Sequence, residues 1–208
     1  MNKNIIIIIA GIVVLGGAGL YFLSQQNIES KKEVEFASVE NKRIVQPTKT
    51  GLALVIDQAQ ERIKENSFGS FRQNKGYYTG IAFEAFEEER EGKVVPIYVF
   101  CEGTLVEKRF AIGYGGIAIQ ECVLEGQTVH VLYGHVDLKS IEFNIGDELT
   151  PGTRLGNLGD HESAETDGAA KQLHFAIHKG IKPDIRGYVQ TKEELIEWID
   201  PSTYLKDL

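Results

Sequence analysis

At 208 residues, 42% of them hydrophobic, the chain has room for one globular domain with a core, plus appendages. A charged fraction of 25% argues against wholesale disorder, and a formal net charge of −8 against nucleic acid or another strongly anionic surface as partner. Its two cysteines, Cys101 and Cys122, form no Cys-x-x-Cys spacing, which excludes thiolate zinc sites and thioredoxin-like chemistry.

Residues 5–24 are uncharged and apolar. At about 1.5 Å per residue the run is long enough to cross a hydrocarbon layer of about 30 Å. Lys3 and the amino terminus precede it, which suits a cytoplasmic N-terminus, although Lys31 and Lys32, among Glu29, Glu33 and Glu35, blur the charge rule. A cleavable signal peptide processed near Gly-Gly-Ala-Gly is the alternative; the length of the run favours an uncleaved anchor. Residues 1–24 are therefore read as a transmembrane helix holding a single-pass protein in the cytoplasmic membrane, with the remainder on the extracytoplasmic side. The polar, mixed-charge stretch 25–50 reads as a stalk. In 51–66, Leu52, Val55, Ile56, Ala59 and Ile63 recur at helical spacing and predict a short amphipathic helix packed on the domain.

From Ser67 the pattern changes to short strands punctuated by glycine, and 67–208 reads as the domain proper. Strands are predicted at Tyr77–Phe83, Val94–Phe100, Thr104–Ile112, Gly116–Glu121, Thr128–His135, Glu148–Thr150, Arg154–Leu158 and Gln172–His178. Turns fall at Glu102-Gly103, Tyr114-Gly115-Gly116, Glu125-Gly126 and Pro151-Gly152. This spacing argues a mostly β fold, a small antiparallel sandwich or barrel with short flanking helices. Thr191-Lys-Glu-Glu is a capping box that opens a helix through Ile199, closed by Asp200-Pro201. Cys101 and Cys122 lie in or beside neighbouring strands; a disulfide and a pair of buried small hydrophobes are both open.

The last strand alternates, with Leu173, Phe175 and Ile177 on one face and Gln172, His174, Ala176 and His178 on the other. Gln172 and His174 then stand about 7 Å apart, within convergence of one ion or one scissile bond. Alternation puts His130 on the face opposite His135.

Four segments, Tyr77-Tyr78-Thr79-Gly80-Ile81-Ala82-Phe83, Leu132-Tyr133-Gly134-His135-Val136, Ile145 through Gly156, and Gln172-Leu173-His174-Phe175, together resemble the lysostaphin/LytM-type peptidoglycan metalloendopeptidases in order and separation. The closing Asp200-Pro201-Ser202-Thr203-Tyr204-Leu205 is similar to that family's C-terminal end. The resemblance covers about 67–206 and implies a mostly antiparallel β fold with a groove across the sheet. It also implies zinc-dependent hydrolysis of cell-wall peptide cross-links.

In that family a His-x-Gly-[Ile/Val]-Asp motif gives two zinc ligands and the second His of a His-Leu-His strand the third. The first His of that strand and another in a Tyr-x-His segment flank the attacking water. By position the third ligand falls on His174 and the Tyr-x-His histidine on His135, both retained. The first-motif ligands fall on Tyr78 and Ala82, and the other catalytic histidine on Gln172. Ala82 has no donor atom, a phenol with a pKa near 10 is a poor ligand at neutral pH, and an amide cannot shuttle a proton. Zinc, expected from the family, is therefore expected to be absent or weakly bound. His161 or Asp167 could rebuild a site only from a neighbouring loop.

These implications converge on a degenerate LytM-like domain whose groove, lined by Tyr78, Tyr133, His135, Gln172 and His174, binds peptidoglycan peptides or engages a cell-wall amidase or hydrolase without cleaving. The alternatives are an active zinc endopeptidase with substituted ligands and a purely structural envelope domain.

Overall fold

The computed structural model describes residues 51–63 and 67–205. The expected anchor and stalk, 1–24 and 25–50, lie outside the described residues, among which no helix is long and apolar enough to cross a membrane. One helical turn, α1 (Ala59–Arg62), precedes the strands. The first seven are β1 (Phe71–Arg72), β2 (Gly76–Tyr78), β3 (Gly80–Glu84), β4 (Pro96–Tyr98), β5 (Gly103–Ala111), β6 (Gly115–Leu124) and β7 (Gln127–Gly134). Then come β8 (Val136–Asp137), β9 (Glu148–Leu149), β10 (Arg154–Leu158), β11 (Gln172–His178), β12 (Tyr188–Val189) and β13 (Trp198–Ile199), before a final turn α2 (Ser202–Leu205).

The main sheet runs β13-β11-β7-β6-β5-β9, with β3 paired to β11 as well. The neighbouring strands pair antiparallel, as the hairpin spacing predicts. Strand β11 is the pivot. One edge takes Gly134 to His130 of β7; the other takes β3 from Gln172 to Ala176 and then β13 at Ile177 and His178. A side chain at Gly80 would run into the Phe175 carbonyl, so glycine there lets β3 lie against β11.

The predicted alternation of β11 holds. Leu173, Phe175 and Ile177 are fully buried in the larger core, with Phe83, Val131 and Tyr133. The small sheet β4-β10-β8 and the entering segment close that core with Ile97, Leu155, Val136, Val55 and Ile56. On the opposite face Ala176, Leu132, Ile117 and Ile119 join a second cluster with Tyr114, Val189 and Trp198. Both faces of the sheet are thus covered in part, and the groove opens beside the second cluster.

Two predicted helices are shorter than their patterns suggest. Over 51–63 the only helix is the single turn α1, and the chain on either side of it is pinned as a strand would be: Ala53 N–H donates to the Phe100 carbonyl (2.9 Å), Tyr98 N–H to that of Val55 (2.8 Å), and Ile56 and Ile63 bridge to Ile97 and Phe83. The apolar residues are buried as expected, but through strand-like contacts, and Gln58 in the left-handed region (φ 55°) breaks any continuous helix. At 191–199 both capping-box bonds form, Thr191 N–H to Glu194 Oε2 (3.1 Å) and Glu194 N–H to Thr191 Oγ1 (3.4 Å). The helix they open is a 3-10 segment, Glu193–Glu197, because Trp198 and Ile199 leave it to pair with β11.

Cys101 and Cys122 are joined in a buried disulfide, Cα–Cα 6.4 Å, across 21 positions. Closing a loop of that length stabilises the fold by about 3 kcal/mol in the chain-entropy account.

Candidate functional site

A groove of about 420 Å³ crosses the sheet at the Gln172 end of β11. Strand β11 supplies Gln172 and His174, β2 supplies Tyr78, and the β7–β8 junction supplies His135. Tyr114 comes from the β5–β6 turn, Tyr188 from β12 and Gly187 from just before it, and Lys75 from the β1–β2 turn.

His174 is the centre of this arrangement. It is 2% exposed, and both ring nitrogens face phenols: Tyr78 Oη lies 2.6 Å from Nδ1 and Tyr114 Oη 3.4 Å from Nε2. The two tyrosine rings meet the imidazole edge-on, each with centroids 5.1 Å away. Burial, reinforced by His135, lowers the His174 pKa to about 3, so the ring is neutral at neutral pH. Burial likewise pushes the phenols of Tyr78 and Tyr114 up, so both stay protonated. The shorter contact assigns Tyr78 O–H as donor to Nδ1, with the imidazole proton on Nε2 directed at Tyr114 Oη.

Glycines make this packing possible. A Cβ on Gly134, the cross-strand partner of His174, would lie 2.6 Å from Tyr114 Cδ1, and one on Gly187 would lie 2.7 Å from Tyr114 Oη. Tyr114 therefore lies over a bare patch of backbone. Its only sequence signature is a Tyr-Gly-Gly turn, which gives no sign that the ring folds back onto a distant strand. Tyr188, Lys75 and Gly187 were equally invisible, being carried by short segments without periodicity.

Most of the predicted residues come together. Tyr78, His135, Gln172 and His174 all line the groove. Ala82 is buried and pairs with His174 across β3 and β11, where it presents only a methyl group. Tyr133 does not line the groove. It pairs with Phe175 on the core face, and its hydroxyl is spent between Phe100 N–H and Gln120 Oε1, each at 2.9 Å. Alternation decides this: Gly134 shares the His174 face, so Tyr133 must point the other way.

His135 escapes that alternation because it sits at φ 62°, in the left-handed region. Such a conformation at a non-glycine residue costs about 1–3 kcal/mol. It turns the ring into the groove, 5.5 Å from Tyr114. The expectation that His130 and His135 lie on opposite faces therefore fails: His130 pairs with His178 and shares the His174 face. Burial lowers the His135 pKa, opposed by hydrogen bonding of the ring to the Thr166 and Tyr114 backbone and by the Asp167 carboxylate. Asp167 accepts from Gly113 N–H (2.6 Å), His161 faces Glu162 (3.6 Å), and neither side chain lines the groove.

No family model matches the chain, and no curated protein matches it. Among solved structures, LytU aligns with 21% identity over 70% of this chain and 84% of its own, with a TM-score of 0.50. The fold is that of the LytM-type peptidases. A Ruminococcus gnavus protein described as a LytM glycyl-glycine endopeptidase aligns at 21% identity over 70% of this chain and 57% of its own, TM-score 0.46. A chain of the SpoIIIAH–SpoIIQ complex aligns at 16% over 78% and 96%, TM-score 0.44.

LytM-type peptidases are zinc enzymes, and the residues that the sequence resemblance sets at the ligand positions do not fit that ion. Two atoms on one tetrahedral zinc, each about 2.0–2.1 Å from it, stand about 3.3 Å apart. Tyr78 Oη and His174 Nδ1 are 2.6 Å apart, a hydrogen bond with no space for a cation between them. The third position is the Ala82 methyl. Among the described residues no three His, Cys, Asp or Glu side chains converge.

Proposed function

We propose that this domain is a non-hydrolysing LytM-type protein, anchored in the cytoplasmic membrane, whose groove holds peptidoglycan peptides outside the cell. The observation that carries the reading is the Tyr78–His174–Tyr114 cluster: both imidazole nitrogens are engaged by phenols at the position where the family binds its metal. Without a metal, water keeps a pKa near 15.7 and yields no useful hydroxide at neutral pH. Gln172 cannot act as base or acid, yet its amide can hydrogen-bond a peptide group.

Three measurements on the purified full chain test this: zinc content after incubation with zinc and dialysis, release of soluble fragments from purified cell-wall sacculi, and co-sedimentation with those sacculi. The expected result is zinc far below one per chain, no release, and co-sedimentation. Zinc near one per chain together with fragment release would establish an active peptidase. Failure to co-sediment, with no zinc and no release, would leave a structural envelope domain.

A further inference from the structure

Three polar side chains bordering the groove have no hydrogen-bond or ion-pair partner among the described residues: the Lys75 ammonium, the Tyr188 hydroxyl and the Gln172 amide. Lys75 and Tyr188 stand together, the ammonium 5.5 Å from the ring centre. Lys75 is also the one formally charged side chain in the groove lining, which includes no carboxylate. Of the acids close by, Asp184 is ion-paired with Arg186 (2.7 Å) and Asp167 accepts from Gly113 N–H, and neither is paired with Lys75. A second hollow of about 300 Å³ shares Lys75 and Tyr188 and adds Arg72 and Gln73, so the groove runs out past cationic side chains on a chain whose net charge is −8.

An exposed ammonium with no ion pair, over a tyrosine ring whose hydroxyl has no hydrogen bond, is matched by an anion with two acceptor oxygens. The Gln172 amide, which can both donate and accept, is matched by a peptide group. The Tyr78 and Tyr188 rings, with centroids 5.0 Å apart, supply an apolar wall between them.

We infer that the groove takes the free carboxylate end of a short peptide, with the carboxylate at Lys75 and Tyr188 and a backbone amide at Gln172. This rests on the reading that the groove holds peptides, and adds which ones: chains with an open C-terminus, not those whose terminus is already closed in an amide cross-link. Lys75 is the residue that tells the two apart.

The test is isothermal titration of the full chain with N-acetyl-D-alanyl-D-alanine and with the same dipeptide as its C-terminal carboxamide. A charge-assisted hydrogen bond at a partly open site favours the acid by about tenfold. Lys75 is exposed in a turn, so Lys75→Gln folds normally. It abolishes the preference, whereas Lys75→Arg keeps it. Equal affinities for acid and amide, or a preference that survives Lys75→Gln, would overturn the inference while leaving a peptide-holding groove intact. Binding of neither probe also overturns it, and sacculus co-sedimentation then decides whether the wider reading falls too.

Discussion

Replacing Tyr78 by phenylalanine removes one hydroxyl and leaves the ring, its edge-on contact with His174 and its contact with Tyr188 in place. The lost atom is the partner of His174 Nδ1 at 2.6 Å, in a setting where the imidazole is 2% and Tyr78 6% exposed. Water cannot readily replace it, so an acceptor is left buried and unpaired. That costs about 1–3 kcal/mol. For a domain of this size each kcal/mol moves Tm by about 2–4 °C, so a fall of about 4–8 °C is expected at the middle of that range. Thermal unfolding followed by circular dichroism, with a parallel urea titration at unchanged slope, measures it. A Tyr78→Phe protein as stable as the parent would refute the claim that the phenol ties β2 to β11 through His174.

Other outcomes follow from the same geometry. Since His174 titrates near 3 when folded and near 6.5 when unfolded, the unfolded chain binds the extra proton first; stability is full above about pH 6.5 and falls toward pH 3, by at most about 5 kcal/mol. Stability curves at stepped pH read this, and His174→Gln should flatten the slope. Above pH 10 the sign reverses for Tyr78, Tyr114 and Tyr133, whose raised pKa values keep them neutral in the fold, so stability should decline with further alkali. Tyr78→His with Ala82→Asp should be less stable than the parent without metal, because it buries a lone carboxylate. Zinc should restore about 2.7 kcal/mol at a hundredfold excess over Kd; no zinc-dependent rise in Tm would mean that the groove backbone has lost metal-site geometry as well. Reducing Cys101–Cys122 should cost about 3 kcal/mol, read as a drop in Tm with dithiothreitol that Cys101→Ser/Cys122→Ser reproduces without reductant.

What could be read from the chain beforehand was whatever depends on neighbours in sequence. Alternation placed β11 and β10 at their observed limits, Gln172–His178 and Arg154–Leu158, and sorted the β11 side chains to their faces. The motif spacing brought Tyr78, His135, Gln172 and His174 into one groove. Alternation also holds Tyr133 in the core: Gly134 takes the His174 face, so the groove role implied by the resemblance is closed to its neighbour. His135 was misplaced relative to His130 because one left-handed residue resets the count, and no local pattern announces it. Leu52, Val55 and Ile56 show the other limit. Their spacing records burial, but extended chain pinned to Tyr98 and Phe100 buries them as well as a helix would. Tyr114 and Tyr188 escaped notice because their partners are distant in sequence.

The double occupancy of one edge of β11 has a kinetic consequence. The strand bearing His174 is joined there by residues 80–84 and by residues 198–199, from near the beginning and the end of the described domain. Tyr78 and His174 are themselves 96 positions apart. Contacts of such reach form late, after the local hairpins β5–β6 and β6–β7. On a growing polypeptide the last clasp waits until Ile199 has been synthesised, and removing the Tyr78 hydroxyl should accelerate unfolding far more than it slows refolding.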